Sequence, residues 1–455
     1  MDPNDSIDIL GQQPLLRIYT QISLCFPVPD PSFHATIIKT LTSGLERLTE
    51  SFPWVAGQIA NEEASEGNTG VFRVKPLDDK IPRLTIKDLR YEPDAPTMDA
   101  LRRSRFPFSM LDESAVAPCK TMPPPDFVEF PVFFLQATFV TGGLLLTFVG
   151  GHQVMDMTGQ GHIIHLLSKA CREEPFTDEE LTSGNRRRRD AIPLLDDLKD
   201  HSAEIAHQIV KSAAPLPPGE GPPPMPISPK CTWGYFIFLP AALTALKAAA
   251  MKGLGGLSKY ISTDDTLSAF IWQSTMRARL PRLDKTLDTS FARAVDVRPH
   301  LGMSKTYPGL VQNMTYHTYT IQDMVHEPLG VIAANLRSAL HPEKNNLGYM
   351  TRALATCFDR TPDKSVFSFI ARFDLSKDMM LSSWAKVDCY GQDFGLGLGK
   401  PEAVRRPKFD AFESLVYLMP KKPDGEVAVA ICLRDEDMER LRRDPEVMMY
   451  STYVG

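Results

Sequence analysis

The sequence predicts an α/β fold, with mixed sheets flanked by helices and divided into two halves. Three observations carry this. Short apolar runs of strand character alternate with segments of helical period in both halves. A 455-residue chain that is 43% hydrophobic can bury a large core, more in keeping with two domains than with one. Between the halves lies Pro215 to Pro229, where eight of fifteen residues are proline. Prolines remove backbone donors and hold a chain extended, so this stretch is neither helix nor inner strand. The expected division is 1–213, a proline-rich linker or crossover over 214–230, and 231–455.

In the first half, Ile37, Leu41, Leu45, Leu48 and Phe52 recur at helical spacing and mark one buried face. Val132 to Val140 and Leu144 to Val149 read as strands, joined at Thr141-Gly142-Gly143 by a hairpin. A helix begins at Thr158 and buries Ile163, Ile164, Leu166, Leu167 and Ala170. In the second half, Trp233 to Leu239 reads as a strand and Ala241 to Met251 as a helix. Thr263, followed by two aspartates, reads as the cap of a helix running through Ala278. Further strands are expected at Phe291 to Val297, Val366 to Phe373, Ser414 to Met419 and Val427 to Cys432, the last two flanking a turn at Pro423-Asp424-Gly425. Pro118 to Pro125 and the basic run Arg186 to Arg189 read as surface loops, the latter solvated.

Bulk properties narrow the function. Fifty basic residues against 56 acidic ones give a net charge of −6, which argues against nucleic-acid binding. Seven cysteines without CxxC spacing argue against a disulfide framework and for a reducing compartment. The start, Met1 to Asp5, lacks the order of a secretory signal, and no apolar run approaches the roughly 20 residues of a membrane helix. The expected state is a cytoplasmic monomer without nucleic-acid or membrane partners.

The most informative residues are His152 and Asp156. They sit in Gly150-Gly151-His152-Gln153-Val154-Met155-Asp156, directly after an apolar run. Two glycines at a strand end give the backbone freedom, and an imidazole there can take a proton near neutral pH. His-x-x-x-Asp alone is common in long chains. A second pattern, Asp393-Phe394-Gly395-Leu396-Gly397, follows Leu381-Ser382-Ser383-Trp384-Ala385-Lys386 and gives the first its weight.

Together these resemble the HxxxD and DFGWG signatures of the BAHD acyltransferases, which move acyl groups from coenzyme A to hydroxyls or amines. The likeness covers most of the chain. It extends to Phe52-Pro53-Trp54-Val55-Ala56-Gly57, to Ser262 through Trp272, and to Val295-Asp296-Val297-Arg298. Within that family the chain is most similar to the fungal trichothecene 3-O-acetyltransferases, through Met155 to Gln160, Tyr307 to Tyr316 and Met419 to Glu426. Leu396 departs from the family, which usually carries an aromatic there, and this puts a packing contact in doubt.

The resemblance implies a two-domain, chloramphenicol-acetyltransferase-like architecture with a solvent tunnel between the domains. It implies His152 as general base, and Asp156 as a structural brace paired with Arg298 rather than as the orienting carboxylate of a triad. Asp393, Gly395 and Gly397 become structural, and Trp384 becomes the oxyanion donor through its indole N–H. Ser382, Ser383 and Lys386 are expected near coenzyme A. Lys259, Ser262 and Thr263 stand at a helix start whose backbone donors suit a phosphate, although Asp264 and Asp265 oppose one on the helix axis. Arg405 and Arg406 read equally as phosphate contacts or as a solvated pair. No cofactor is tightly bound; acetyl-CoA is the expected co-substrate, and the C3 hydroxyl of a trichothecene the expected acceptor.

Competing readings remain open at this level. Another hydroxylated metabolite could be the acceptor, or the protein could bind such a ligand without catalysis. His162 and His165, three apart on a helix, would need a third ligand and usually a nearby Cys or Glu to hold zinc, and they read as ordinary helix residues astride the apolar face. A peptide-synthetase condensation domain would show HHxxxDG, but Gly151 and Met157 stand at its outer positions. No G-x-S-x-G marks a serine hydrolase, and Gly395-x-Gly397-x-Gly399-Lys400-Pro401 departs from a phosphate loop.

Overall fold

In a computed structural model of the chain, described for residues 6–77, 83–196, 198–211, 229–254, 260–341 and 345–455, helices accompany two large mixed sheets that share part of one core. The proline-rich boundary at 214–230 lies outside the described residues except for Pro229 and Lys230, and Lys259 lies outside them too.

The first sheet has five strands, in the order Ala403–Arg405, Tyr19–Pro27, Gly143–Gly151, Phe133–Val140 and Leu84–Asp88. The central hairpin runs in register from Val140 opposite Gly143 to Phe133 opposite Gly150, turning at Gly142 in the left-handed region (φ 79°). Both central strands are buried along their whole length, which explains their continuous apolar runs. One edge strand, Ala403–Arg405, comes from the far end of the sequence and pairs antiparallel with Tyr19–Pro27.

The second sheet has seven strands, in the order Thr452–Tyr453, Cys231–Phe238, Val427–Arg434, Leu415–Leu418, Met379–Ser383, Asp288–Asp296 and Gln312–Thr320. Met379–Ser383 runs parallel to both neighbours. Strand alternation divides its side chains between two cores. Phe236, Phe238, Phe291, Leu381 and Val429 face the Thr263–Arg279 helix, whereas Trp233, Tyr235, Ile237 and Ala430 join the core of the first sheet.

Val366 to Phe373 does not form the expected strand. Lys364–Val366 is a 3-10 turn, Phe367 makes a single bridge to Ile209, and tight turns occupy 368–373. Its apolar residues serve packing instead: Phe367 stacks on Phe358 at 4.4 Å. The ladder position is filled by Met379–Ser383.

The His34–Ser51 and Met157–Cys171 helices pack closely together. A methyl added at Gly44 would stand 2.3 Å from Cys171 Sγ and 3.2 Å from the Cys171 backbone. Overpacking costs about 1–3 kcal/mol, while replacing a mid-helix glycine by alanine recovers about 1 kcal/mol. Gly44→Ala should therefore lower the urea midpoint modestly, and Cys171→Ala in the same background should restore it. An unchanged midpoint in the single variant would contradict this contact.

Candidate active site

His152 emerges where Gly143–Gly151 ends. Tyr19 pairs with Gly151, and the His152 amide donates to Ile18 O at 2.9 Å. Neither preceding glycine adopts a left-handed backbone. Crowding requires them instead: a Cβ at Gly151 would lie 2.9 Å from Ile59 Cδ1, and one at Gly150 would lie 3.0 Å from Gln160 and Met155. The freedom expected of these glycines gives way to close packing.

The imidazole is half-buried. Its Nδ1 lies 3.2 Å from Met155 O. A carbonyl only accepts, so the geometry assigns the proton to Nδ1 and leaves Nε2 as the acceptor. Burial lowers the pKa below its ordinary 6.5, outweighing the raising effects of Met155 O and Asp156, with Arg406 adding to the lowering. The ring is therefore neutral near pH 7, the form a base requires.

Asp156 makes no hydrogen bond to that ring. Its Oδ1 caps the Met157–Cys171 helix by accepting from Gly159 N at 2.8 Å, and its Oδ2 accepts from Val311 N at 2.8 Å. Arg298 completes the set with a two-pronged contact, Nη1 to Oδ2 at 2.9 Å and Nη2 to Oδ1 at 3.1 Å. The same guanidinium donates to Tyr307 O, Gly309 O and Asp296 Oδ1. Burial alone would lower Arg298, but Asp156 and Asp296 outweigh it and hold its pKa above the ordinary value.

A second buried ion pair lies alongside, and the sequence reading missed it. Arg188, expected in a solvated run, is 6% exposed. It donates to Asp8 Oδ2 at 2.9 Å and to Val154 O at 3.0 Å, and it lies 4.0 Å over the Trp54 ring. Asp8 also accepts from Tyr307 Oη and from Leu310 N. The loop carrying His152 is thus held from both sides. Asp8 gave no motif, and Arg188 differs from its exposed neighbours only in the folded chain.

The remaining expected residues divide. Trp384 is buried, and its Nε1–H donates to Ser382 Oγ at 3.1 Å, so the indole donor assigned to an oxyanion is already engaged. Ser262, not Thr263, caps the Thr263–Arg279 helix, in a reciprocal box with Asp265. Ser383 Oγ donates to Asp264 Oδ2, and Arg293 Nη1 to Asp265 Oδ1 at 2.9 Å. These partners occupy the two aspartates and two of the hydroxyls expected to meet phosphate. Lys386 is exposed. Arg405 and Arg406 are neither a solvated pair nor surface phosphate ligands: they are 3% and 2% exposed, and Arg405 binds Phe106 O, Arg105 O and Val404 O.

The downstream motif acts through its main chain. Asp393 Oδ1 accepts from Gly395 N at 2.9 Å, and left-handed Gly395 and Gly397 (φ 66° and 75°) curl the loop. Asp393 O accepts from Ser168 Oγ at 2.9 Å and from Arg172 Nη1, both near the far end of the helix that Asp156 caps. Phe394 stacks on Phe148 at 5.6 Å, and Leu396 is buried in the same core, filling the place of the family's usual aromatic. His162 and His165 have ring centroids 6.0 Å apart, and His165 meets Gln392 and Glu180. No group of three potential metal ligands occurs among the described residues. No helix among them is long and apolar enough to cross a membrane.

Residues 18–171 match the Trichothecene 3-O-acetyltransferase-like N-terminal domain, and residues 115–448 match the Transferase family. The chain is 56% identical to the O-acetyltransferase dmxR13 of a Cryptosporiopsis species, over 100% of this chain and 98% of that one. It is 54% identical to the trichothecene 3-O-acetyltransferase TRI101 of Fusarium sporotrichioides, over 99% and 97%. A crystal structure of the Fusarium sporotrichioides protein with coenzyme A and T-2 superposes with a TM-score of 0.91 at 52% identity, covering 99% of each chain.

Two outcomes follow from this geometry. Arg298→Met strands a buried carboxylate, which costs about 3–5 kcal/mol; the urea midpoint should fall steeply, and adding Asp156→Asn should recover part of the loss. By NMR the His152 ring should titrate below 6.5. Because the folded value lies below the unfolded one, its protonation opposes folding as pH drops through 6.5.

Proposed function

We propose that this chain, which belongs to the Transferase family of BAHD-type acyltransferases, carries acetyl from acetyl-CoA to the C3 hydroxyl of a trichothecene, with His152 as general base. The single observation that carries the reading is a neutral, half-buried imidazole with Nδ1 committed to Met155 O and Nε2 left to accept. The substrate assignment draws on full-length similarity to named trichothecene 3-O-acetyltransferases. Acetyl-CoA is a co-substrate, and no tightly bound cofactor is called for.

In the proposed reaction the acceptor hydroxyl donates to His152 Nε2. As its oxygen attacks the thioester carbon, Nε2 takes the proton and negative charge gathers on the carbonyl oxygen. The carbon–sulfur bond then breaks, and Nε2 returns the proton to the departing thiolate. No acyl-enzyme forms, because both substrates are bound together. Ser382 Oγ accepts from the indole of Trp384, which leaves the hydroxyl proton free for the oxyanion. Trp384 then acts one bond removed from the reacting oxygen. A base of this kind contributes on the order of 10²–10⁴-fold, and one oxyanion donor about 10²–10³-fold. Asp156 and Arg298 hold the loop that aims the imidazole. With Ser262 and Ser383 hydrogen-bonded to Asp265 and Asp264, the coenzyme phosphates fall to Lys386 and Lys259. The working form is a cytoplasmic monomer.

One observation favours a broader reading of the acceptor. A relative at 56% identity carries the name O-acetyltransferase with no trichothecene in it. Another hydroxylated metabolite would then occupy the same site with the same chemistry.

Thiol release from acetyl-CoA across a panel of trichothecene and phenolic alcohols decides between these. Turnover confined to trichothecenes bearing a free C3 hydroxyl is expected; turnover only with phenols would reassign the acceptor. His152→Ala should lower kcat by at least about 10²-fold with the fold intact. Undiminished turnover in that variant would remove His152 from the chemistry.

A further inference from the structure

Arg406 is a large buried side chain that the proposed reaction does not use. It is 2% exposed, and among the described residues it makes no ion pair. Its Nη1 donates to Gln21 O at 3.3 Å and its Nη2 to Thr121 Oγ1 at 3.5 Å, while its buried Nε has no partner. Three aromatic rings enclose the guanidinium, Phe409 at 4.2 Å, Tyr417 at 4.9 Å and Trp384 at 5.5 Å. A buried cation without a counter-charge is costly unless its environment compensates. Aromatic faces and two weak hydrogen bonds offset only part of that cost.

Strand register places this charge close to the chemistry. Ser23 pairs with Arg405, so Arg406 continues toward the end of the first sheet where Tyr19 pairs with Gly151 and His152 emerges. His152 hangs from Ile18 O, Tyr19 N donates to Thr121 O, and Arg406 reaches Gln21 O and Thr121. The His152 main chain and the Arg406 side chain are therefore both tied to the four residues Ile18 to Gln21.

We propose that Arg406 is a positioning residue for acyl transfer: its unpaired guanidinium supplies the positive charge facing His152 and clamps the Trp384 ring against the second sheet. The inference rests on His152 being the base. The ionisable groups acting on the imidazole are Asp156, which is paired with Arg298 and favours the protonated ring, and Arg406, which is in no ion pair among the described residues and disfavours it. Around Arg406 stand Glu113, Tyr235 and Tyr417. Glu113 accepts from Thr121 N instead of reaching the guanidinium. Glu113 still acts on the guanidinium through space, so its charge is only partly offset, and the remainder favours the proton-free ring and negative charge on a nearby carbonyl oxygen.

The test is the acid limb of kcat/KM for acetyl-CoA with the acceptor. In Arg406→Gln its midpoint should rise by about one to two pH units, the shift expected from one charge about 6–12 Å away in an effective dielectric near 20. Arg406→Lys should return the midpoint to the wild-type value. Should Arg406→Gln not fold, Thr121→Asp neutralises the guanidinium in place and should raise the midpoint likewise. A folded Arg406→Gln or Thr121→Asp enzyme with an unmoved midpoint overturns the proposal, since a purely structural role lowers stability without shifting the limb. His152→Ala separates the two readings. If its residual activity keeps the same acid limb, the base assignment itself fails.

Discussion

The contact between Asp156 and Arg298 is the constraint on which the site depends. Four donors converge on one buried carboxylate: two from the guanidinium, one from the helix start at Gly159, and one from Val311. Arg298 in turn gathers Tyr307 O and Gly309 O, so residues from both large sheets' connections meet at one point. A charge pair in this setting does not gain much over a well-packed apolar substitute, but it fixes geometry, because neither partner can be left alone. That division of labour explains why the carboxylate stays off the imidazole. The Met155 carbonyl sets the tautomer, and Asp156 sets where the loop stands.

The Met157–Cys171 helix converts this local constraint into a longer one. Asp156 caps its start, and at its other end Ser168 and Arg172 hold the main-chain carbonyl of Asp393. Two sequence patterns that stand far apart in the chain are thereby tied to opposite ends of one rigid rod. Phe394 against Phe148 closes the loop back onto the strand that delivers His152. The downstream motif thus works as a buttress, with its side-chain carboxylate spent on its own turn.

Much of this was legible in the residues. Continuous apolar runs located the central hairpin, and helical spacing located Ile37, Leu41, Leu45 and Leu48 on a buried face. Most of what escaped had no local signal, the Ser262-x-x-Asp265 box being the exception. Arg188 lies in a run of four arginines and is selected for burial only by Asp8 and Trp54, which are remote in sequence. Val366 to Phe373 has strand-like composition, yet Pro362 and the turn at Ser368 commit it to packing against Phe358. Ser262 displaced Thr263 as cap because the box partner three residues on is Asp265. Arg406 read equally as a phosphate contact or as one of a solvated pair, and only long-range strand pairing takes it into the interior.

That pairing has a consequence for how the molecule is made. During synthesis, Tyr19–Pro27 and the central hairpin leave the ribosome long before Ala403–Arg405 does. Until then, one margin of the first sheet offers unpaired amides and carbonyls to any passing strand, the situation from which β-proteins aggregate. A gene fragment ending at the proline-rich boundary would encode that unfinished margin permanently. Completion of the sheet by its last-made strand ties the two halves together, as does the core they share.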